Sequence, residues 1–405
     1  MYVAFDDTDS RKGMCTTYLA ARICHRINII GLPRLVRLNP NIPYKTRGNG
    51  AVAFRTDDPD AEDIVLSEIK KHAMMSDPMT NPGAVFLDCE EVPAEIRRFY
   101  DRAVSEIVSV EDAEKTAEKS GATVHKFKNG RGVIGAMAAI GFTGGHTYEL
   151  IAYRNRLNYG KPKKIKKESV IKMHDTLYPR VFDSLDQKRE KVIITPRGQD
   201  PVFCGIRGLT SEDVLSGWDM VHAGEPLERI QVFETNQATD AHIRKKKIAD
   251  VKPYDCVMVS GEVSSKPKSH PGGHVVFTLT DDTGSIDCAA YKPTGPFRKI
   301  VSHLTPGDLL DVYGGIGRYL KTVNMEKIEI RRLKDVFSGD SPSCCGKKMT
   351  SAGRGDQVKC RLCGSKSTKK RLIRARDIST GFYDVPPESR RHLSRPVFLD
   401  LAAGI

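Results

Sequence analysis

No stretch of this 405-residue sequence approaches the roughly 18 consecutive apolar residues that a membrane-spanning helix needs. No basic-then-apolar leader opens it either, because "MYVAF" runs directly into acidic residues. These absences predict a cytoplasmic protein with no membrane partner. Ten cysteines are present, but only Cys344, Cys345, Cys360 and Cys363 cluster, a pattern that favours a metal over a disulfide framework. Acidic residues are short in supply: 51 Asp and Glu face 64 Lys and Arg, leaving a net charge of +13. Such an excess points to a polyanion, nucleic acid first. No internal repeat is visible, and no obligate protein partner is evident. A Walker loop is missing too. "GIGRYLKT", Gly315 to Thr322, ends like one, but Leu320 stands where the second glycine must be, and the segment lies between two strands with no helix N-terminus to hold phosphate.

What is there reads as an α+β multidomain protein, with 39% apolar residues sufficient for two to four cores. Residues 340–368 hold "SCCGKKMTSAGRGDQVKCRLCG", two cysteine pairs each followed by glycine, which fits a zinc ribbon with four thiolate ligands. The first pair is adjacent, where C-x-x-C is the commoner strap, so three ligands or none stays open. Residues 251–335 show five strand-like runs with a helical "GPFRKIVSHL" between the third and fourth, the pattern of an OB-fold that binds single-stranded or looped nucleic acid. A barrel used only as a spacer is the plainer alternative. Residues 369–405 form a basic tail with "KKRLIRARDI" and "SRRHLSRP". Residues 1–250 remain as a mixed α/β region in which "MYVAF" reads as a buried strand and "TTYLAARICHRINII" as an amphipathic helix.

The strand–helix junction "FDDTDSRKGMCTTY" concentrates charge. Asp6, Asp7 and Asp9 repel one another as bare anions, and Mg2+ with its hard oxygen ligands resolves that conflict. The amides and hydroxyls of Thr16 and Thr17, at the helix start, are placed to meet phosphate. Helix capping beside a solvated acidic loop is the alternative. Three further segments favour a substrate pocket. "NPNIPYKTRGNGAVAF" offers Lys45, Arg47 and Asn49 for a nucleotide, "KNGRGVIGAMAAIG" spaces Gly130 and Gly132 as a phosphate cradle, and "TPRGQDPVFCGIRG" sets Asp200 beside turns and Arg207 between glycines. "RNRLNYGKPKKIKK", from Arg154, fits either a phosphate-contacting loop or a solvated basic face.

In this order, "DDTDS…GMCTTY", "RLNPNIPYKTRGNGA", "GRGVIGAMAAIG", "DPVFCGIRG" and "FETNQATDAH", followed by the OB-fold and the ribbon, resemble the archaeal tRNA-isoleucine agmatidine synthetases over nearly the whole chain. The resemblance implies a kinase-like α/β catalytic domain interleaved with a ferredoxin-like domain in residues 1–250. It implies that ATP activates carbon 2 of the wobble cytidine in a CAU anticodon and that agmatine displaces the activated oxygen, giving AMP and pyrophosphate and a tRNA that reads AUA. Asp6, Asp7 and Asp9 are then the Mg2+ ligands, Thr16 the position associated with self-phosphorylation, and the basic tail a tRNA-facing element. Agmatine is a dication, so Asp200, Glu234 and Asp240 are its candidate partners. Two other readings stay open: a non-catalytic single-stranded nucleic-acid-binding protein, and an ATP-dependent kinase or ligase acting on another RNA. A lysidine-type route is disfavoured because its "SGG-x-D-S" pyrophosphate loop is absent.

Overall fold

The computed structural model describes residues 1–405 except 47, 145–146, 199, 319–321, 354, 374 and 403–405, with backbone alone for 337–340, 370–373 and 401–402. Side chains in a strand alternate between faces, and in β1 (Tyr2–Asp6) both faces are apolar: Val3 and Phe5 enter one core, Tyr2 and Ala4 another. A strand with that pattern belongs in the middle of a covered sheet, and β1 is hydrogen-bonded on both sides.

The chain continues through α1 (Thr16–Cys24), β2 (Ile29–Arg37), β3 (Gly50–Thr56), α2 (Ala61–His72), β4 (Gly83–Leu87), α3 (Ala94–Ala103), α4 (Val110–Ser120), β5 (Thr123–Lys126) and α5 (Gly132–Gly141). Helices α1 and α2 cover one face of the sheet, α3, α4 and α5 the other. The helix expected to run from Thr16 to Ile30 stops at Cys24, and Ile29 and Ile30 open β2 instead. Two adjacent β-branched residues lose rotamer freedom in a helix and suit a pleated edge.

Next come β6 (Thr147–Arg154), α6 (Lys167–Leu177), β7 (Val181–Phe182), β8 (Leu185–Asp186), β9 (Lys191–Val192), β10 (Val202–Gly208), α7 (Ser211–Met220) and β11 (Leu227–Thr235). Among the described residues these join the first group in one sheet of order β5-β4-β1-β3-β2-β11-β6-β10-β7, while β8 and β9 pair apart as a hairpin. The seam is the parallel β2–β11 pair, with Arg34 opposite Glu234. Every other pairing in this sheet is antiparallel.

A barrel follows: β12 (Arg244–Lys245), β13 (Cys256–Val263), β14 (Lys268–Ser269), β15 (Val275–Thr280), β16 (Ser285–Ala290), α8 (Pro296–Ser302), β17 (Leu309–Ile316) and β18 (Thr322–Arg332). The extra β13–β15 pairing closes it, and α8 falls between the third and fourth long strands as the sequence pattern predicts. Beyond the barrel, the cysteine module turns at Cys345 and Gly346, both with positive φ (50° and 75°). That reversal lets adjacent cysteines face one point: the Sγ atoms of Cys344, Cys345, Cys360 and Cys363 all lie within 4.8 Å of one another.

The segment read as a basic tail does not simply trail away. Gly381–Asp384 pairs with β18, and residues 385–397 then cross back to the large sheet as a strap. Arg391 reaches Glu326 of the barrel at 3.3 Å, and Arg390 is bonded to Asp183 and, at 2.8 Å, to Asp384.

Candidate active site

Two glycines let α5 lie directly on the acidic end of β1. A Cβ on Gly132 would stand 2.5 Å from the Asp6 carbonyl oxygen and 2.4 Å from Gly83 N, and one on Gly135 only 1.9 Å from Asp6 Oδ2. The glycines read as a phosphate cradle therefore divide their work. Gly130 makes a turn at φ 69°, Gly132 permits helix-on-strand packing, and Gly135 leaves room for a carboxylate.

Around the acidic end of β1 opens a cavity of about 1060 Å³ lined by Asp6, Asp7, Asp9, Thr16, Lys45 and Asn49 among the sequence-predicted residues. Asp7 has φ 57° and accepts from Asn81 N at 3.2 Å and Arg131 Nη2 at 3.3 Å. Burial pushes its carboxyl up to about 7, against the pull of Arg131, with Asp9 adding to the rise. Burial likewise raises Asp6, and Asp7 and Asp9 raise it further. Asp9 accepts the Thr46 hydroxyl at 2.7 Å. The buried Thr16 hydroxyl accepts from Thr8 at 3.1 Å at the start of α1. Lys45 is bonded to the Pro40 carbonyl, and Asn49 Nδ2 donates to Asn39 O at 2.9 Å, so both shape the loop as well as face the cavity. Arg47 lies outside the described residues.

Of the cavity floor, the motifs marked Arg207 alone. Glu149 of β6, 5% exposed, meets Arg37 at 3.5 Å, Arg207 at 3.4 Å and Gln237 Nε2 at 2.5 Å. Arg207 also contacts His392 Nδ1 at 2.6 Å, bringing the strap into the floor. Burial, with Arg37 and Arg207 close by, holds the His392 imidazole well below its usual range and therefore neutral. Arg37, Glu149, Arg207 and His392 come from four separate places in the chain, so no local spacing could have grouped them. Arg131 was within reach, since it stands between the singled-out Gly130 and Gly132. Its guanidinium bridges Asp7 and the ring of Tyr44, 5.7 Å from the centroid.

Three carboxylates read as agmatine partners stand elsewhere; none is among the cavity-lining residues. Asp200 is buried and accepts from Arg154 Nη1 at 2.8 Å and Gly160 N at 2.6 Å. Arg154, read as part of an exposed basic run, is 1% exposed and also forks onto Glu225 at 2.6 and 2.9 Å. A buried guanidinium needs its charge countered and its donors bonded, and Asp200 and Glu225 do both. Glu234 pairs with Arg34 at 3.5 Å across the seam, and Asp240 is bonded to Lys327 and to Arg395 N, which fastens the strap to the barrel.

Three family models match parts of the chain: the TiaS TCKD domain over residues 2–58, the TiaS FLD domain over 130–242, and the OB-fold nucleic acid binding domain over 257–331. A tRNA-isoleucine 2-agmatinylcytidine synthetase TiaS of Pyrococcus horikoshii is 44% identical across 98% of this chain and 97% of its own. The Thermococcus sibiricus protein of the same name is 42% identical across 99% and 96%. This chain belongs to the tRNA-isoleucine 2-agmatinylcytidine synthetase family. The solved complex of TiaS with isoleucine tRNA and ATP superposes with a TM-score of 0.89 at 40% identity over 98% of this chain and 96% of that one. The complex of TiaS with isoleucine tRNA, AMPCPP and agmatine does so with 0.86 at 38% over 98% and 96%. Membership agrees with the order of motifs along the sequence, and the barrel is the OB-fold that the strand spacing predicted.

Proposed function

We propose that this protein is an ATP-dependent ligase that joins agmatine to carbon 2 of the wobble cytidine in the CAU anticodon of an isoleucine tRNA, releasing AMP and pyrophosphate. The observation that carries this reading is the full-length relationship to synthetases whose complexes hold isoleucine tRNA, nucleotide and agmatine. We take residues 2–58 and their flanking helices as kinase-like and residues 130–242 as ferredoxin-like, the two sharing one sheet through β2 and β11. No helix of the described residues is long and apolar enough to cross a membrane. The substrates of the reaction, a tRNA and ATP, support a cytoplasmic setting.

Cytosine O2 is a poor leaving group, so a ligase must first use ATP to turn it into a better one and then present an amine to carbon 2. Base flipping is cheap in a loop, and the cavity has the volume for an extruded base beside a nucleotide. Asp6, Asp7 and Asp9 fit Mg2+ by their donor chemistry: two of them resist ionisation as the cluster stands, which a hard divalent cation would relieve. When bound, that ion would neutralise triphosphate charge. Thr16 offers its hydroxyl to the same corner, at the N-terminus of α1, and Arg131 and Lys45 supply positive charge to phosphate oxygens. The cysteine quartet suits Zn2+ in a structural role.

Agmatine needs carboxylate and an apolar sleeve for its tetramethylene stem. Inside the cavity Glu106 is half-buried without a side-chain partner among the described residues, and Leu38, Ile42 and Ile107 lie along the same wall. We assign the agmatine cation to Glu106 in place of Asp200, Glu234 and Asp240. Incubation of labelled agmatine with a CAU-anticodon isoleucine tRNA transcript, with and without ATP, tests the reaction. Label retained on the tRNA only with ATP is the expected result; no incorporation with RNA binding intact would sink it.

A further inference from the structure

Three cations from the stretch between β8 and β10 converge on one carboxylate of the strap. Arg189 Nη1 lies 2.8 Å from Glu388 Oε2, Arg197 Nη2 3.3 Å from Oε1, and Lys191 is bonded to Oε1 as well. Lys191, Arg197 and Glu388 all line the cavity. The Glu388 side chain is 26% exposed and that of Arg197 83%, so the cluster stands at a wet rim.

One carboxylate offsets one of three positive charges. Asp186, 3.7 Å from Arg189, takes part of a second, and the rim stays cationic. A clamp for the strap would need a single cation, and the strap is already held by Arg390 and Arg391. Three donors round one accessible acceptor is instead the arrangement that binds a phosphate, whose oxygens meet guanidinium and ammonium groups in the same geometry as a carboxylate's. The Ser389 hydroxyl donates to Pro293 O of the barrel at 2.9 Å, so this rim lies where the OB-fold adjoins the cavity.

We propose that Arg189, Lys191 and Arg197 form a phosphate-binding site at the cavity mouth, which Glu388 fills in the free protein and yields to a substrate phosphate. The proposal rests on the reaction above, whose two phosphate-bearing substrates are the tRNA loop and the nucleotide. Glu388 is then a built-in competitor, and removing its charge opens the site.

Binding of CAU-anticodon tRNA is measured by anisotropy across a salt series for the intact protein, Glu388→Gln, Lys191→Ala and Arg197→Ala, with KM for ATP in parallel. Glu388→Gln is expected to tighten binding about twofold to fivefold, the scale of an exposed ion pair. Lys191→Ala and Arg197→Ala are expected to weaken it and to flatten the dependence of log K on log salt by about one. Opposite signs in the tRNA arm assign a phosphodiester, and opposite signs in the ATP arm assign the triphosphate. If Glu388→Gln weakens binding along with the cation variants, or if neither arm moves, the cluster is only a clamp and the proposal falls. Absence of agmatine incorporation by the unaltered protein would instead overturn the reaction, while these binding measurements stand apart from it.

Discussion

Thr46 donates its hydroxyl hydrogen to Asp9 Oδ1 at 2.7 Å, and the loop that carries it is gripped at its other end by the barrel. There Asn41 Nδ2 donates to Asp255 O at 2.9 Å and to Cys256 Sγ at 3.1 Å, and Asn39 Nδ2 to Tyr254 O at 2.9 Å. The nucleic-acid-binding barrel and the acidic turn are thus linked by a loop of a few residues. Thr46→Val should lower kcat for agmatine incorporation about tenfold, the worth of one well-made hydrogen bond to a charged group, with tRNA affinity held within twofold. Equal loss of affinity and turnover would show that the loop serves tRNA binding instead.

Gly135 faces Asp6 so closely that an added methyl has nowhere to go. Gly135→Ala should displace the Asp6 carboxylate and abolish incorporation while lowering stability by about 1–3 kcal/mol, the usual range for overpacking. A melting curve and an activity assay on the same preparation check both. Full activity in this variant would mean that the Asp6 carboxylate is dispensable where it stands.

Asp200 serves Arg154 and the turn at Gly160. Asp200→Asn should leave KM for agmatine within twofold and lower the melting temperature, because the buried Arg154 loses one of its two counter-charges. Glu106→Gln should do the reverse, raising KM for agmatine at unchanged stability. An Asp200 variant with raised KM and an intact melting curve would return the cation to Asp200.

Glu326 is buried, which alone would raise its carboxyl, yet Arg391 at 3.3 Å and His242 at 3.1 Å hold it at about 2. A carboxyl depressed in the folded state stabilises the fold above its ordinary value near 4.5, and that contribution drains away as pH falls from about 5 towards 2. The unfolding free energy of Glu326→Gln, from denaturant titrations, should therefore be lower at neutral pH by roughly 3 kcal/mol and show a flatter acid limb than that of the unaltered protein. An unchanged acid limb would remove Glu326 from the account of acid stability.

Local signals read well from the sequence. The alternation in β15 and the helix α8 gave the barrel, and Thr16 and Thr17 after Asp6, Asp7 and Asp9 marked one corner of the cavity. Signals that depend on long-range pairing did not read. Glu149 looks like any strand residue until Arg37 and Arg207 are folded against it, and Arg154 heads a run of cations whose other members remain outside. Asp200, Glu234 and Asp240 were chosen for charge and for their place in the quoted segments, and neither says whether a carboxylate already has an arginine or lysine of its own. The glycines of α5 carried a true signal of close approach, but what approaches Gly132 and Gly135 is the chain's own β1.

His392 meets Arg207 across 185 residues of sequence, after the barrel and the cysteine module have both been made. A ribosome therefore delivers the wall of the cavity last. The large sheet and the barrel have all their strands but one while the cavity is still open on the strap side, and the final strand, Gly381–Asp384, aligns the strap before it closes. Synthesis order thus acts as a timer on competence: a chain interrupted just before the strap would possess the acidic corner and Glu149 with its arginines, but lack His392.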